Sequence, residues 1–188
     1  MSTAIVVTSG KGGTGKTSVT AGVAVCLAQR GSRVLCVDMD IGLRSQDVLF
    51  GLENKVVYDV VDVLEDVCDL KQALMKTQDG IMLLPAAQTR EAGAVSYSGM
   101  ENLVFQLRRQ FDYVLLDAPA GIEAGFRLAA QFADRVILVT GADPAAIRDA
   151  SRAADVLEIM GKTNIRLIVN RVQREVLKTV KITIDDVM

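Results

Sequence analysis

Glycine and lysine residues that could hold phosphate groups are concentrated near the N-terminus, where the sequence reads VVTSGKGGTGKTS from Val6 to Ser18. Gly10, four residues and then Gly15, Lys16 and Thr17 match the pattern G-x-x-x-x-G-K-[ST] in full. Glycines let the backbone N–H groups of such a loop turn inward around phosphate oxygens, and the N-terminus of a following helix adds the positive end of its dipole. The residues expected to form this phosphate cradle are Gly10, Gly12, Gly13, Thr14, Gly15, Lys16, Thr17 and Ser18.

Lys16 and Thr17 have separate expected roles in the cradle. The ammonium group of Lys16 would neutralise the β- and γ-phosphates of a nucleoside triphosphate, and the hydroxyl of Thr17 would hold Mg²⁺. Asp117 lies near the end of the apolar run YVLLDAP (113–119), where its carboxylate can reach the magnesium ion. The alternative is an aspartate that ends a strand and binds no ligand.

Two acids and one turn could also contact the magnesium ion or the phosphates. Asp38 ends the apolar run RVLCVD (33–38) and Asp40 lies two residues further on, so both lie on one face if the strand continues. Two solvent-facing acids at the start of a loop are the alternative. Pro119 and Gly121 combine a stiff residue with a flexible one, so a backbone N–H near Gly121 could sense a γ-phosphate; an ordinary turn is the alternative there.

The base of the nucleotide has one candidate partner. Asn170 ends the apolar run IRLIVN (165–170), and its amide offers both a donor and an acceptor, which match N6 and N7 of adenine. An aspartate at this position would favour guanine instead. A turn asparagine without a ligand is the alternative. We therefore expect ATP or ADP with Mg²⁺.

The composition excludes several other chemistries. The chain has no histidine, so imidazole acid–base catalysis and histidine-bound zinc are excluded, and oxygen ligands suit Mg²⁺. A net charge of −2 and an aromatic content of 4% are not typical of nucleic-acid-binding proteins, and no nucleic-acid partner is expected. One group of basic residues is interpreted as a solvated face: Lys162, Arg166, Arg171, Arg174, Lys178 and Lys181.

The cysteines and the apolar runs indicate the cellular context. Cys26, Cys36 and Cys68 share no CxxC spacing, so we expect buried free thiols and neither disulfides nor a metal site. The apolar runs are too short to span a bilayer. The N-terminus shows no secretory signal. A cytoplasmic protein is the expectation.

The elements that must position these residues alternate along the chain. Six apolar runs are predicted to be strands: 4–8, 33–38, 81–85, 113–119, 135–140 and 165–170. Five helices are predicted between them: 17–30, 59–76, 100–110, 122–132 and 144–160. Continuous apolar runs are typical of parallel strands that are buried on both faces. The alternation predicts one doubly wound α/β domain over 1–188, with a mainly parallel sheet and helices on both faces.

The run S-G-K-G-G-T-G-K-T (9–17) resembles the deviant phosphate-loop signature of the MinD/ParA family of P-loop ATPases. Further stretches resemble the septum-site branch of that family: CVDMDIGLRSQDVLFG (36–51), VVYDVVDVL (56–64), LPAAQTRE (84–91), VLLDAPAGIE (114–123) and VNR (169–171). These stretches follow the family order over nearly the whole chain. The resemblance implies a magnesium-dependent ATPase of bacterial division-site placement, which dimerises with ATP bound.

The resemblance also implies roles for particular residues. Lys11 would reach across an ATP-dependent homodimer to the phosphates held by the partner, as an arginine finger supplied in trans does. Asp40 would position or activate the attacking water, and Asp38 would support the lysine and magnesium network. Asn170 and Arg171 would lie at the base-binding end of the site.

The sequence departs from the family pattern in three places. Residues 44–47 are R-S-Q-D where R-N-L-D is usual, and TGADPAAIRDASR (140–152) replaces a typical T-N-P-E segment on or near the partner-binding helix. The sequence ends at TIDDVM, and the family fold continues with a strand, an adenine-pocket loop and a membrane-targeting amphipathic helix. We therefore expect the C-terminal part of the family fold to be missing. Family partners are division-inhibitor and topological-factor proteins, with membrane contact at the inner face of the cell membrane through that helix.

Other functions stay open at this stage. A ParA-like partition ATPase shares the loop but should present a basic DNA-binding surface, and a flagellar-number regulator of the same family would differ outside this sequence. An iron–sulfur carrier needs paired cluster cysteines, which the chain lacks. An interaction module that binds nucleotide without hydrolysis is the alternative from a different class. The two lysines, Asp40 and Asp117 argue against it.

Overall fold

The computed structural model describes residues 2–90 and 95–172. Seven strands and seven helices follow one another in the described part of the chain. In order they are β1 (Thr3–Thr8), α1 (Lys16–Gln29), β2 (Val34–Asp38), α2 (Gln46–Leu49), α3 (Val60–Leu64), α4 (Leu70–Ala73), β3 (Met75–Lys76), β4 (Met82–Leu84), α5 (Tyr97–Gln110), β5 (Tyr113–Asp117), α6 (Ala124–Gln131), β6 (Arg135–Thr140), α7 (Pro144–Ile159) and β7 (Ile165–Val169).

The strands form one sheet in the order β3-β4-β2-β5-β1-β6-β7, and only β3 pairs antiparallel with its neighbour. In register, Asp117 of β5 lies beside Asp38 of β2 on one side and Val7 of β1 on the other. The carboxyl ends of β1, β2 and β5 therefore meet at one edge of the sheet. Ligands of open α/β sheets bind outside this edge.

The two faces of the sheet build two apolar clusters because successive side chains of a strand point to opposite faces. On β5, Val114 and Leu116 pack into the larger cluster with residues of α3, α5, α6 and α7. Leu115 packs into the smaller cluster with Ala24 of α1. Helices therefore cover both faces, which confirms the predicted doubly wound class. It also explains why the strand sequences are continuously apolar.

The predicted helix over 59–76 is wrong as a single element, since the region holds α3, α4 and β3. Asp59 caps the start of α3 through a reciprocal capping box. Asp66 then takes a positive φ of 56°, and Val67 N–H donates back to the carbonyl of Asp62. This left-handed turn ends a helix. Asp69 begins the next one with a second capping box.

The helix α2 and the strand β3 have no counterpart among the predicted elements. A four-residue helix is too short to show a periodic pattern, and tertiary hydrogen bonds to Asp38 hold its first turn. Apart from α3 and α4, the other helices and strands begin and end within three residues of the predicted positions. Pro144 begins α7 and Gly161 follows its end, as expected.

The structure also bears on the expectations for the cysteines, the basic residues and the membrane. Cys36 is a buried free thiol, but Cys26 is exposed because it lies on the face of α1 opposite Ala24. Arg174, Lys178 and Lys181 of the predicted basic face lie outside the described residues, as does the C-terminal segment 173–188. None of the described helices combines the length and the apolar character that a bilayer span requires.

Candidate functional site

The glycine-rich loop connects β1 to α1 at the carboxyl edge of the sheet. Gly15 precedes the helix with a φ of 93°, in the left-handed region that L side chains rarely adopt. A Cβ atom at Gly10 would collide with the backbone of Asp149 in α7. Both glycines are therefore required by geometry, and the backbone of the loop is packed tightly on its outer side.

A cavity of about 450 Å³ opens at this loop. It has the size that small-molecule sites typically show. The residues that line it are Ser9, Gly12, Gly13, Gly15, Lys16, Thr17, Ser18, Asp40, Leu43, Pro119, Ala120 and Arg171. The cavity thus brings the loop together with the ends of β2, β5 and β7. Of these residues, Ser9, Leu43 and Ala120 were given no role of their own in the sequence analysis, although each lies in a stretch that resembles the family.

Lys16 and Asp117 form a buried ion pair below the loop. The Nζ atom of Lys16 lies 3.4 Å from Oδ1 of Asp117, and both side chains are almost fully buried. The Thr20 hydroxyl donates to the same carboxylate oxygen at 3.1 Å, and Gln46 Nε2 donates to Oδ2 at 3.0 Å. Removing one partner of such a pair leaves an uncompensated buried charge. Thr20 and Gln46 were missed by the sequence analysis.

The carboxylate of Asp38 accepts hydrogen bonds from backbone N–H groups of residues 40–46. Its Oδ1 accepts from Asp40 N–H at 3.0 Å, and its Oδ2 accepts from the N–H groups of Ser45 and Gln46 at 2.9 and 3.0 Å. Burial raises the pKa of Asp38 to about 6, although the backbone hydrogen bonds partly offset this effect. Asp38 therefore shapes the loop that follows β2, and the supporting role inferred for it stays a prediction.

Asp40 is half-buried and lines the cavity. Burial raises its pKa, the Lys16 ammonium lowers it, and the Asp117 carboxylate raises it. A carboxylate in this position faces the space above the phosphate loop. It can accept a proton or a hydrogen bond from a molecule bound there.

The donor set fits a magnesium ion that is bound together with phosphates. Among residues 2–90 and 95–172, no three His, Cys, Asp or Glu side chains are placed to hold a metal ion by themselves. Thr17 and Asp40 line the cavity, and the Thr17 hydroxyl lies 3.4 Å from that of Ser45. Mg²⁺ takes one or two protein oxygens and completes its shell with phosphate oxygens and water. The residues present match that requirement.

Gly121 lies at the turn after β5 with a φ of 95°. Its N–H donates to the carbonyl of Ser9 at 3.0 Å. The backbone group that the sequence analysis assigned to a γ-phosphate thus has a protein partner, and its neighbours Pro119 and Ala120 line the cavity. The assignment of Gly121 stays a prediction.

Asn170 and Arg171 follow β7. The Nδ2 atom of Asn170 donates to the carbonyl of Thr14 at 2.8 Å, and this amide would collide with a Cβ atom at Gly15. Asn170 therefore supports the phosphate loop directly. Arg171 lines the cavity with a φ of 54°. The preference for adenine that was inferred for Asn170 stays a prediction.

Lys11 points away from the phosphate cradle. Its Nζ atom lies 3.5 Å from Oδ1 of Asp143, and about half of each side chain is exposed. Asp143 is the residue that caps the start of α7 and accepts from Ala146 N–H. Lys11 and Lys16 thus differ in their surroundings: Lys16 is buried under the loop and Lys11 stands at the surface.

Comparison with known proteins gives the context of this geometry. The family model described as the CobQ/CobB/MinD/ParA nucleotide binding domain matches residues 5–187. The septum site-determining protein MinD of Bacillus subtilis (strain 168) is 47% identical over 184 residues, which are 95% of this chain and 68% of that protein.

Two solved structures share the fold closely. The MinC:MinD cell division protein complex of Aquifex aeolicus matches with a TM-score of 0.88 and 39% identity, and the match covers 99% of this chain and 76% of that one. The septum site-determining protein MinD of Pyrococcus horikoshii OT3, complexed with Mg-ADP, matches with a TM-score of 0.82 and 29% identity. That match covers 96% of this chain and 77% of the other.

Proposed function

The chain belongs to the CobQ/CobB/MinD/ParA nucleotide-binding family, and from this premise we propose that it is a MinD-type ATPase. It binds ATP with Mg²⁺, hydrolyses it to ADP and phosphate, and acts as a switch in the placement of the bacterial division site. We also propose that residues 1–188 constitute one domain. The similarity to MinD of Bacillus subtilis supports the biological role, and the Mg-ADP of the Pyrococcus structure supports the ligand.

The observation that carries the proposal is the pairing of Lys16 with Asp117 at the floor of the phosphate cradle. In this proposal, Lys16 turns its charge to the β- and γ-phosphates. Thr17, Asp40 and Asp117 hold the metal directly or through water. Asp38 fixes the loop that carries Asp40. A magnesium ion held by these residues would neutralise negative charge that develops on the phosphate oxygens.

Asp40 orients the attacking water in this scheme. Its carboxylate lines the cavity beside the loop and accepts a hydrogen bond from that water. Gly12 and Gly13 line the cavity, and in this scheme their backbone N–H groups donate to the phosphate oxygens. Preorganised donors of this kind stabilise charge that develops in the transition state.

Dimerisation completes the proposed switch. Lys11 crosses to the phosphates of a second copy and adds a positive charge only after assembly. Asn170 and Arg171 border the adenine end. A division inhibitor is the proposed partner, because the Aquifex structure is a complex of MinD with MinC. The proposed place of action is the cytoplasmic face of the cell membrane.

Size-exclusion chromatography with ADP and with ATP, combined with a phosphate-release assay, tests the proposal. We expect a larger particle with ATP than with ADP, and phosphate release that requires Mg²⁺. Addition of excess EDTA is the matched control. ATP binding without any phosphate release at high protein concentration would favour a module that binds nucleotide without hydrolysis.

A further inference from the structure

The side chain of Gln46 is fully buried between α2 and the end of β5. Its Nε2 atom donates to Oδ2 of Asp117 at 3.0 Å. Its backbone N–H donates to Oδ2 of Asp38 at 3.0 Å. One residue thus contacts two carboxylates that lie side by side in the register of β2 and β5.

The two oxygens of Asp117 have different partners. Lys16 and Thr20, both on α1, donate to Oδ1 at 3.4 and 3.1 Å. Gln46, on α2, donates to Oδ2. Because donors hold both oxygens, the carboxylate cannot rotate without losing a hydrogen bond. Gln46 supplies the contact that comes from outside α1.

Gln46 also belongs to residues 40–49, a segment that borders the cavity. Asp40 and Leu43 of segment 40–49 line the cavity, and the Ser45 hydroxyl lies 3.4 Å from that of Thr17. The N–H groups of Ser45 and Gln46 are held by Asp38. The hydrogen bond from Gln46 to Asp117 therefore connects segment 40–49 to the floor of the phosphate cradle.

An amide at this position carries an energetic penalty. The Oε1 atom of Gln46 is buried, and the described residues give it no hydrogen-bond partner. A buried acceptor without a hydrogen bond destabilises the fold, because it has lost its contact with water and gained no partner. A methionine would fill nearly the same volume without this penalty. The amide is therefore better explained by its contact with Asp117 than by packing.

We propose that Gln46 is a positioning residue that holds Asp117 in its orientation and couples segment 40–49 to the binding of magnesium with the nucleotide. The coupling to magnesium rests on the proposed function, because it requires that Asp117 acts in the metal site. The effect of Gln46 on the order of segment 40–49 does not rest on the proposed function, because it requires no magnesium. Partners that orient metal ligands typically contribute about 10–100-fold to metal affinity.

The variant Gln46→Met tests both parts. Magnesium is titrated into protein saturated with a fluorescent ADP analogue, and we expect the apparent magnesium affinity to fall by about tenfold or more. The affinity for the analogue in EDTA should stay at the wild-type value, because the loop is untouched. Amide hydrogen exchange of segment 40–49, measured without nucleotide, should become faster. Unchanged magnesium affinity or unchanged exchange overturns the proposal.

The variant Thr20→Val is the matched control. It removes a hydroxyl donor from the other oxygen of Asp117 and leaves segment 40–49 untouched. We expect Thr20→Val to leave the exchange of segment 40–49 at the wild-type rate. If Thr20→Val accelerates this exchange as much as Gln46→Met does, the coupling is not specific to Gln46 and the proposal is wrong.

Hydrogen exchange also decides the two cases in which the ADP analogue does not bind or Gln46→Met does not fold. If wild-type protein does not bind the ADP analogue, the proposed function fails, and the exchange measured without nucleotide still decides whether Gln46 holds segment 40–49. If Gln46→Met does not fold, exchange of wild-type segment 40–49 is compared in ADP with and without Mg²⁺. Slower exchange with Mg²⁺ supports the coupling, and identical exchange overturns it.

Discussion

The Nζ atom of Lys11 lies 3.5 Å from Oδ1 of Asp143, the residue that caps the start of α7. The side chains are 45% and 51% exposed. Exposed ion pairs contribute only about 0–1 kcal/mol. Lys11 is therefore held within its own chain by a contact that can be broken easily. This arrangement is compatible with a lysine that changes partners when a second copy docks.

The first prediction concerns Lys11→Ala. ADP should still bind with near-normal affinity, because Lys11 lies outside the lining of the cavity. The ATP-dependent dimer would lose a charge-assisted contact at each of two symmetric sites. Such contacts are worth about 1.5–3 kcal/mol each, so dimerisation should weaken about a hundred-fold or more. Analytical ultracentrifugation with ATP measures this, and loss of ADP binding would show that Lys11 acts in cis.

Mixing two inactive variants gives a stricter test of the same lysine. A Lys11→Ala chain paired with an Asp40→Ala chain should form one site with an intact Asp40 and a Lys11 from the partner. Phosphate release should then partly return. Each variant alone, at the same total concentration, is the control. If mixed dimers form and no activity returns, Lys11 does not act in trans.

The second prediction concerns Lys16→Ala. ATP affinity should fall and phosphate release should cease, because the phosphates lose the cation of their own loop. Lys16→Ala should also lower the stability of the protein when no nucleotide is bound. Asp117 would be left as a buried charge without its cation, which destabilises a fold by about 3–5 kcal/mol. Urea unfolding of the nucleotide-free variant measures this change, and Lys11→Ala, the exposed lysine of the same loop, is the control. Equal stability of the two variants would contradict the buried pair.

The third prediction separates two roles of Asn170. If the amide reads adenine, Asn170→Ala should weaken ATP more than GTP, because a site built for one base leaves polar groups unpaired with the other. If the amide mainly supports the loop through the Thr14 carbonyl, both nucleotides should weaken equally. We expect a wild-type preference for ATP that narrows in the variant. Competition titration decides, and a wild type that binds GTP as tightly as ATP would refute the adenine role.

The fourth prediction concerns the pH dependence of stability at the opposite edge of the sheet. Hydrogen bonds from the Arg33 side chain and backbone lower the pKa of Asp112 to about 2. A carboxyl group with a lowered pKa stabilises the fold when it is ionised. This contribution should be fully present above about pH 4 and should be lost as the pH falls toward 2. Asp112→Asn should therefore be less stable than wild type at neutral pH and equal to it near pH 2.

Urea unfolding at a series of pH values checks the fourth prediction. The exposed Glu101 on α5 offers a matched control, since Glu101→Gln removes a carboxylate that lies far from Arg33 in the sequence and on another element. A stability difference for Asp112→Asn that persists unchanged from neutral pH to pH 2 would show that the effect is not due to ionisation.

Much of the fold and part of the site follow from local sequence patterns. The glycine spacing between Gly10 and Gly15 predicts a strand, a loop and a helix, and all three are present. The apolar runs 33–38 and 113–119 place Asp38 and Asp117 at the edge of the sheet where the loop lies. These features are predictable because a strand, a turn or a cap depends on a few neighbouring residues.

The prediction of a single helix over 59–76 is wrong because local signals within this range also favour a break. Its apolar residues have helical spacing and a capping box at Asp59 begins a helix there, but a second capping box at Asp69 begins another helix inside the predicted range. The left-handed turn at Asp66 separates the two pieces. The strand β3 then forms because Met75 finds Leu83 as a partner in the sheet. Local propensity allows either outcome, and the pairing with β4 decides between them.

Three contacts at the site were decided by the tertiary structure alone. Gln46 meets Asp117 across 71 positions, Lys11 meets Asp143 across 132 and Asn170 meets Thr14 across 156. The residues of each contact approach one another only because the sheet is ordered β2-β5-β1-β6-β7 and the helices pack on it. The sequence by itself determined the glycine-rich loop, since consecutive residues build it, and the role of this loop in holding phosphates stays a prediction. The partners of its lysines and of Asp117 depend on strand order and register, which no local pattern encodes.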